Sequence, residues 1–298
     1  QVEDVQRLRE LLGAIGYTME EKKPGTLHIT PISRITVTEL PRSIAERIRT
    51  SILFVGPLLA RTGHVKFPHP GGCVIGRRPI DIYLEGWRAM GARIRENTTG
   101  YELSARELHG IDFTFRSISH TATEGLMLTA TLAKGQTILR NAALEPEVIA
   151  LASFLRAAGV SIQGAGTPTI VIQGTGGNLL KRATASIIPD RLEAGSFAIL
   201  AALLGTNVRI THCEPQHLEV LLAHLRVTGA AVEEGKDWIS VTRPKRIRPT
   251  NVRTHEYPGF ATDYQAPFTV LLTQAHGQAT VFETIFEGRL AYLEELNR

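Results

Sequence analysis

Cysteine is scarce in this chain: Cys73 and Cys213 are the only two among 298 residues. At most one bridge could form, which excludes a disulfide-built secreted domain and leads us to expect a reducing, cytoplasmic setting. No apolar stretch reaches the roughly 18 residues of a spanning helix. The opening Gln-Val-Glu-Asp-Val is polar and acidic, unlike a signal peptide, so no membrane partner is expected. An excess of one charge is missing too: 33 Lys and Arg against 29 Asp and Glu leave +4, and only Arg243–Arg253 is densely basic. Nucleic acid is therefore not an expected partner. The histidines are scattered, and no pair has helical metal spacing backed by a third ligand. Gly71-Gly72 is not followed by Gly-Lys-Ser/Thr, which excludes a phosphate loop. With 43% apolar and 21% charged residues, the chain is ordinary globular protein, long enough for two domains.

What is present is internal repetition. An amphipathic helical pattern closing on Gly recurs with the glycines at 16, 91, 159 and 229, each followed by a short β-like run. A second, more apolar pattern covers Ser51–Gly63, Gly125–Gly135, Ser196–Gly205 and Phe268–Gly277. Glycine after a helix favours the left-handed conformation that satisfies the last carbonyls. The β-branched runs after it, such as Val208-Arg209-Ile210, favour strands. Hairpin turns are predicted within Glu96–Tyr101, Gly164–Thr169 and Glu234–Asp237. The first helix class should be half exposed. The second, typified by Ala198–Leu204, should be buried on most sides. One unit of about 70 residues therefore reads βαβαββ, with helices turned inward. The chain opens on a helix with no strand before it and closes on Leu290–Arg298, which reads as an unfinished helix of the first class; we expect both ends to be cut from a longer sequence.

Phe67–Asp81 is an irregular stretch with prolines and glycines around Cys73, Arg77 and Arg78. A loop of this length in a compact domain is functional or disordered. A thiol beside arginines has the setting for a lowered pKa, and guanidinium forks suit phosphate or carboxylate. The alternative is a surface lid with an incidental thiol. Cys213, without an anionic setting, reads as structural.

At Pro70–Asp81 the pattern Pro-Gly-Gly-Cys-x-Ile-Gly-x-Arg-Pro-x-Asp resembles the catalytic loop of the UDP-N-acetylglucosamine 1-carboxyvinyltransferases, enolpyruvyl transferases of peptidoglycan synthesis. Arg49-Thr50-Ser51-Ile52 with Gly56–Arg61, Thr262-Asp263-Tyr264-Gln265-Ala266-Pro267-Phe268, and Phe286-Glu287-Gly288-Arg289 resemble further motifs of that family in the right order, Gly288 standing where the family has Asn. The resemblance implies two domains, each an inside-out α/β barrel of βαβαββ units, divided here as 1–188 and 189–298 and both incomplete. It also implies a site in the cleft between them, with phosphoenolpyruvate and UDP-N-acetylglucosamine as substrates and neither metal nor organic cofactor. Cys73 matches the family's general acid, which also forms a covalent adduct with phosphoenolpyruvate. Asp263 matches the aspartate at the sugar hydroxyl. Arg49, Arg78 and Arg289 match arginines that hold phosphoenolpyruvate. Arg78, Pro79, Ile80, Asp81 and Ile82 match the nucleotide-binding stretch. Ser119, His120 and Thr121 fall where the diphosphate is held, and Ile285 and Asp263 where the sugar nucleotide is met. His120 replaces a small apolar residue. The alternatives are a non-catalytic relative that at most binds sugar nucleotide, and a 3-phosphoshikimate 1-carboxyvinyltransferase, whose family lacks the Cys loop.

Overall fold

The structure is a computed structural model and describes residues 3–71 and 79–298. It divides into two compact units, and each is described by itself. The first holds residues 3–71, 79–144 and 148–185; the second holds 145–147 and 186–298.

In the first unit α1 (Glu3–Ile15) leads into the hairpin of β1 (Thr18–Lys23) and β2 (Thr26–Thr30). A short α2 (Arg42–Ala45) precedes a 3-10 turn, Arg49–Phe54, that runs into α3 (Val55–Thr62) and β3 (His64–Pro68). Next come α4 (Asp81–Ala89), β4 (Arg93–Asn97) and β5 (Gly100–Ser104). The last block is β6 (Asp112–Thr114), α5 (His120–Ala130), β7 (Gln136–Arg140), α6 (Pro146–Ala157), β8 (Ser161–Gln163) and β9 (Thr169–Gln173). That block is a complete βαβαββ unit in the order β6-β7-β9-β8, with β6 parallel to β7 and the other pairs antiparallel. The preceding block repeats the scheme as β3-β5-β4, and a parallel bridge between Glu39 and Lys66 supplies its first strand.

In the second unit α7 (Arg191–Leu204) is followed by β10 (Val208–Thr211), α8 (Glu219–Thr228), β11 (Ala231–Glu234) and β12 (Trp238–Thr242). The sheet order β10-β12-β11 is the same scheme again. Then β13 (Val252–Arg253) and β14 (Val281–Phe282) pair in parallel around α9 (Gln265–Leu272), and the chain ends in α10 (Leu293–Leu296).

The helices lie inside, and glycine lets them cross closely. A Cβ on Gly86 of α4 would lie 2.4 Å from Leu126 of α5, and one on Gly125 2.9 Å from the Tyr83 ring. Gly56 of α3 has no room either, since a Cβ there would meet the Thr129 hydroxyl. The crossing is closed by Trp87 Nε1, which donates to Thr129 Oγ1 at 3.0 Å. In the second unit Gly195 of α7 faces Tyr264, where a Cβ would stand 2.4 Å from the ring, and the Tyr264 hydroxyl donates to the Arg191 carbonyl at 2.6 Å. A separate core of Ala198, Leu222, Leu225, Ile239, Phe268 and Leu271 surrounds that crossing.

The repeat is visible in the helix caps. Gly16, Gly91, Gly159 and Gly229 have φ of 105°, 104°, 99° and 98°. In each case the glycine N–H reaches the carbonyl three residues back and the next N–H the carbonyl five back, as in Tyr17 to Leu12 and Ala230 to Leu225. This is the double-bonded Schellman cap.

Other expectations are corrected. Gly205 closes α7 with φ −87° and ψ 150°, so its carbonyls are not capped in the left-handed way. α5 ends at Ala130, and Gly135, although at φ 91°, belongs to the next turn. The Ser51–Gly63 helix is a 3-10 turn joined to α3. The irregular stretch is shorter than Phe67–Asp81, because Phe67 and Pro68 pair with Tyr101 and Gly100 and Asp81 is already helical. α4 buries Ile82, Tyr83, Leu84, Gly86 and Trp87, more than a half-exposed helix would. α7 is less buried than expected: Phe197, Leu200 and Leu204 are 52%, 47% and 68% exposed. In Leu290–Arg298 only Leu293–Leu296 is helical. Among the described residues no helix is long and apolar enough to cross a membrane.

Candidate active site

In the first unit the named residues gather at the starts of α4 and α5. Pro79 and Ile80 lead directly into α4, whose first residue is Asp81. Ile80 and Ile82 are 7% and 8% exposed and belong to the core, so their backbone, not their side chains, can meet a ligand. Arg49 opens the 3-10 turn and its guanidinium donates to the Pro79 carbonyl at 3.4 Å, which draws it to the same place. Ser119 caps α5, its hydroxyl accepting from the Ala122 N–H at 3.3 Å. His120 and Thr121 form the first turn of that helix, and His120 Nε2 lies 3.3 Å from the Glu124 carboxylate, which is 15% exposed. Arg116 joins the two helix starts by pairing with Asp81 and standing 3.6 Å from Glu85. Helix starts carry N–H groups without intrahelical partners and a positive dipole end, the ordinary setting for a phosphate.

Cys73 and Arg78 lie outside the described residues. The chain just before them is fixed: the His69 ring stands edge-on to Tyr101 with centroids 5.0 Å apart. Gly71 passes so close to the Glu46 carbonyl that no Cβ would fit.

In the second unit Asp263 sits in the 3-10 turn before α9. Its carboxylate makes no helix cap; it accepts from Arg289 Nη2 at 2.9 Å, so two residues named 26 positions apart form one ion pair. Arg289 is the more sheltered partner, its side chain 18% exposed against 47% for Asp263. Ile285 is held by its own N–H, which donates to Glu283 Oε1 at 2.8 Å. Tyr264, beside Asp263, is buried, and burial pushes its phenol well above its ordinary value. Asp263 and Arg289 thus offer an acceptor for a proton next to a cation, with one Asp263 oxygen free of that bond.

Glu283, Arg116 and Glu124 were not singled out as site residues. Thr262 and Asp81 reach Glu283 and Arg116 only in the folded chain, whereas Glu124 stands four residues after His120, a helical spacing that could have found it. Cys213 is buried, its thiol pushed up chiefly by that burial. Among the described residues no three His, Cys, Asp or Glu side chains gather in a metal-binding group.

Comparison with known proteins places this geometry in a family. The family model for EPSP synthase (3-phosphoshikimate 1-carboxyvinyltransferase) matches residues 1–298. A UDP-N-acetylglucosamine 1-carboxyvinyltransferase 1 of Carboxydothermus hydrogenoformans is 41% identical over 298 residues, covering 100% of this chain and 70% of that protein. The UDP-N-acetylglucosamine 1-carboxyvinyltransferase of Desulforapulum autotrophicum is 43% identical over 295 residues, 99% of this chain and 70% of that protein. Among solved structures, the enolpyruvyl transferase NikO from Streptomyces tendae superposes with a TM-score of 0.86 at 23% identity, covering 99% of this chain and 70% of that one. An EPSP synthase from Acinetobacter baumannii does so at 0.67 and 18% identity, with the same coverage. These two structures show the inside-out α/β fold.

Proposed function

The chain belongs to the EPSP synthase family of carboxyvinyltransferases, and from that premise we propose that it moves the enolpyruvyl group of phosphoenolpyruvate onto the 3′-hydroxyl of UDP-N-acetylglucosamine and releases phosphate. The likeness along the whole chain to proteins of that name carries the reading. The shikimate 3-phosphate reading is not favoured: the structure of that name is related at only 18% identity, and the Pro-Gly-Gly-Cys pattern speaks for the other branch.

The reaction is an addition followed by an elimination. The sugar oxygen attacks C2 of phosphoenolpyruvate while its proton passes to a base, and the C3 methylene takes a proton from an acid. A base then takes a proton from the C3 methyl group while the C2–O bond to phosphate breaks, which restores the double bond and releases phosphate. In our reading Asp263 takes the hydroxyl proton, and Arg289 holds its carboxylate in place through the 2.9 Å bond. Cys73 supplies the acid and can hold the enolpyruvyl carbon through sulfur. Arg49, Arg78 and Arg289 balance the charge of phosphoenolpyruvate, which is largest as phosphate departs. Arg78–Ile82 meet the nucleotide, and Ser119–Thr121, at the start of α5, hold its diphosphate.

Two measurements test this. Calorimetric titration with UDP-N-acetylglucosamine should show saturable binding and shikimate 3-phosphate none; the reverse order would move the chain to the other branch. An electrophilic epoxide such as fosfomycin should label Cys73 ahead of the buried Cys213 on peptide mapping. Labelling of Cys213 alone would remove Cys73 from the chemistry.

A further inference from the structure

Asp263, Ile285 and Arg289 come from two separate segments, and beside the Asp263–Arg289 pair one further carboxylate bonds to both of them. Glu283 Oε2 accepts from the Thr262 hydroxyl at 2.9 Å, immediately before Asp263. Glu283 Oε1 accepts from the backbone N–H of Ile285 at 2.8 Å and of Phe286 at 3.1 Å. The Phe286 carbonyl in turn accepts from the Arg289 N–H at 3.2 Å, and Arg289 closes the ring on Asp263. The platform is anchored below. Thr284 donates its hydroxyl to the Thr254 carbonyl at 2.6 Å and its N–H to the Thr254 hydroxyl at 2.8 Å, and Thr254 is fully buried. Thr262 is only 9% exposed.

We propose that Glu283 is a positioning residue for the proposed reaction: it touches neither substrate, and it fixes the Asp263 carboxylate relative to Ile285 and Arg289. This rests on reading Asp263 as the group that takes the hydroxyl proton. A carboxylate suits the task because it accepts without donating. Its two oxygens can therefore serve a hydroxyl on one segment and two N–H groups on another at once. Without it, the two N–H groups and the Thr262 hydroxyl lose their acceptor, and the turn carrying Asp263 is joined to the turn carrying Arg289 only through the Asp263–Arg289 pair itself. Misplacement of a catalytic group by about 1 Å can cost about a hundredfold in rate.

The test is steady-state phosphate release by the full chain, with kcat and both KM values. Glu283→Ala should lower kcat by about tenfold to a hundredfold while each KM moves less than about threefold, the signature of an interaction that matters in the transition state. Glu283→Gln keeps Oε1 for the two N–H groups, and its amide can donate to the Thr262 oxygen, so it should restore kcat to within about threefold of the parent. Thr262→Val cuts only the other end of the same tie. It should lower kcat in the same direction, and combined with Glu283→Ala it should add less than its separate effect. It also carries the test if Glu283→Ala does not fold. A kcat at the parent value in Glu283→Ala, an equal fall in Glu283→Gln, or full multiplication of the two effects would each overturn the inference. Asp263→Asn in the same assay keeps the two claims apart, since loss of the acceptor should cost about a hundredfold or more. If Asp263→Asn is fully active, the reading of Asp263 falls; if it is impaired and Glu283→Ala is not, only the role of Glu283 falls.

Discussion

Helices α5 and α7 belong to the same repeat class, yet they end in different surroundings. α5 is crossed by α3 and α4 through glycine contacts, and Leu126 and Met127 are fully buried. α7 packs on α8 and α9 but leaves Phe197, Leu200 and Leu204 on an exposed face. Both sequences are rich in small and apolar residues. The difference lies in the number of partner helices, since an apolar helix is buried on every side only where neighbours stand on every side. Among the described residues α7 has none beyond that face.

The largest test of this comparison pairs two leucines. Leu126→Ala should cost about 2–5 kcal/mol in chemical denaturation, because it opens a cavity where α4 crosses α5. Leu204→Ala should stay within about 0.5 kcal/mol. If the second change costs as much as the first, the exposed face of α7 is covered in solution, and sedimentation should then show self-association. A smaller effect is expected at the hydrogen bond inside the first crossing. Thr129→Val leaves Trp87 Nε1 buried without its acceptor and should cost about 1–3 kcal/mol. No loss there would mean that the α3, α4 and α5 crossing is held by shape alone.

The least of the three effects concerns alkaline pH and distinguishes the two crossings. The second is closed by a titratable group, Tyr264, whose folded pKa is raised by burial. Its contribution is fully present below the unfolded phenol's pKa of about 10 and is lost as pH rises above it, because only the unfolded chain then releases the proton. Stability of the second unit should therefore decline above about pH 10, and Tyr264→Phe should flatten that decline. An unchanged slope would mean that Tyr264 ionises as freely in the folded chain. The Trp87–Thr129 bond carries no such dependence.

Much of the fold could be read from spacing because the same local physics recurs. Gly16, Gly91, Gly159 and Gly229 all take the left-handed cap, and a cap needs only the residues beside it. Gly205 shows the limit: it closes a helix of the second pattern and is extended, and its carbonyl accepts from the Arg243 N–H beyond β12 instead of the chain turning into a left-handed cap. The extent of burial could not be read from α4 or α7, since it depends on which helices cross them. For the site, motif resemblance named Asp263 and Arg289 separately. It did not show that they pair, and it passed over Glu283, whose partner Thr262, 21 positions away, meets it only in the folded chain. Arg116 escaped in the same way, since its link to Asp81 runs from the connection before α5 to the first residue of α4.

The central claim is that this chain transfers an enolpyruvyl group to a UDP sugar. The most direct measurement is phosphate release from phosphoenolpyruvate with either UDP-N-acetylglucosamine or shikimate 3-phosphate as acceptor, followed by mass analysis of the product. The account predicts release that depends on UDP-N-acetylglucosamine and a product that carries the enolpyruvyl group on the sugar. Release with shikimate 3-phosphate alone, or with neither acceptor, would contradict it.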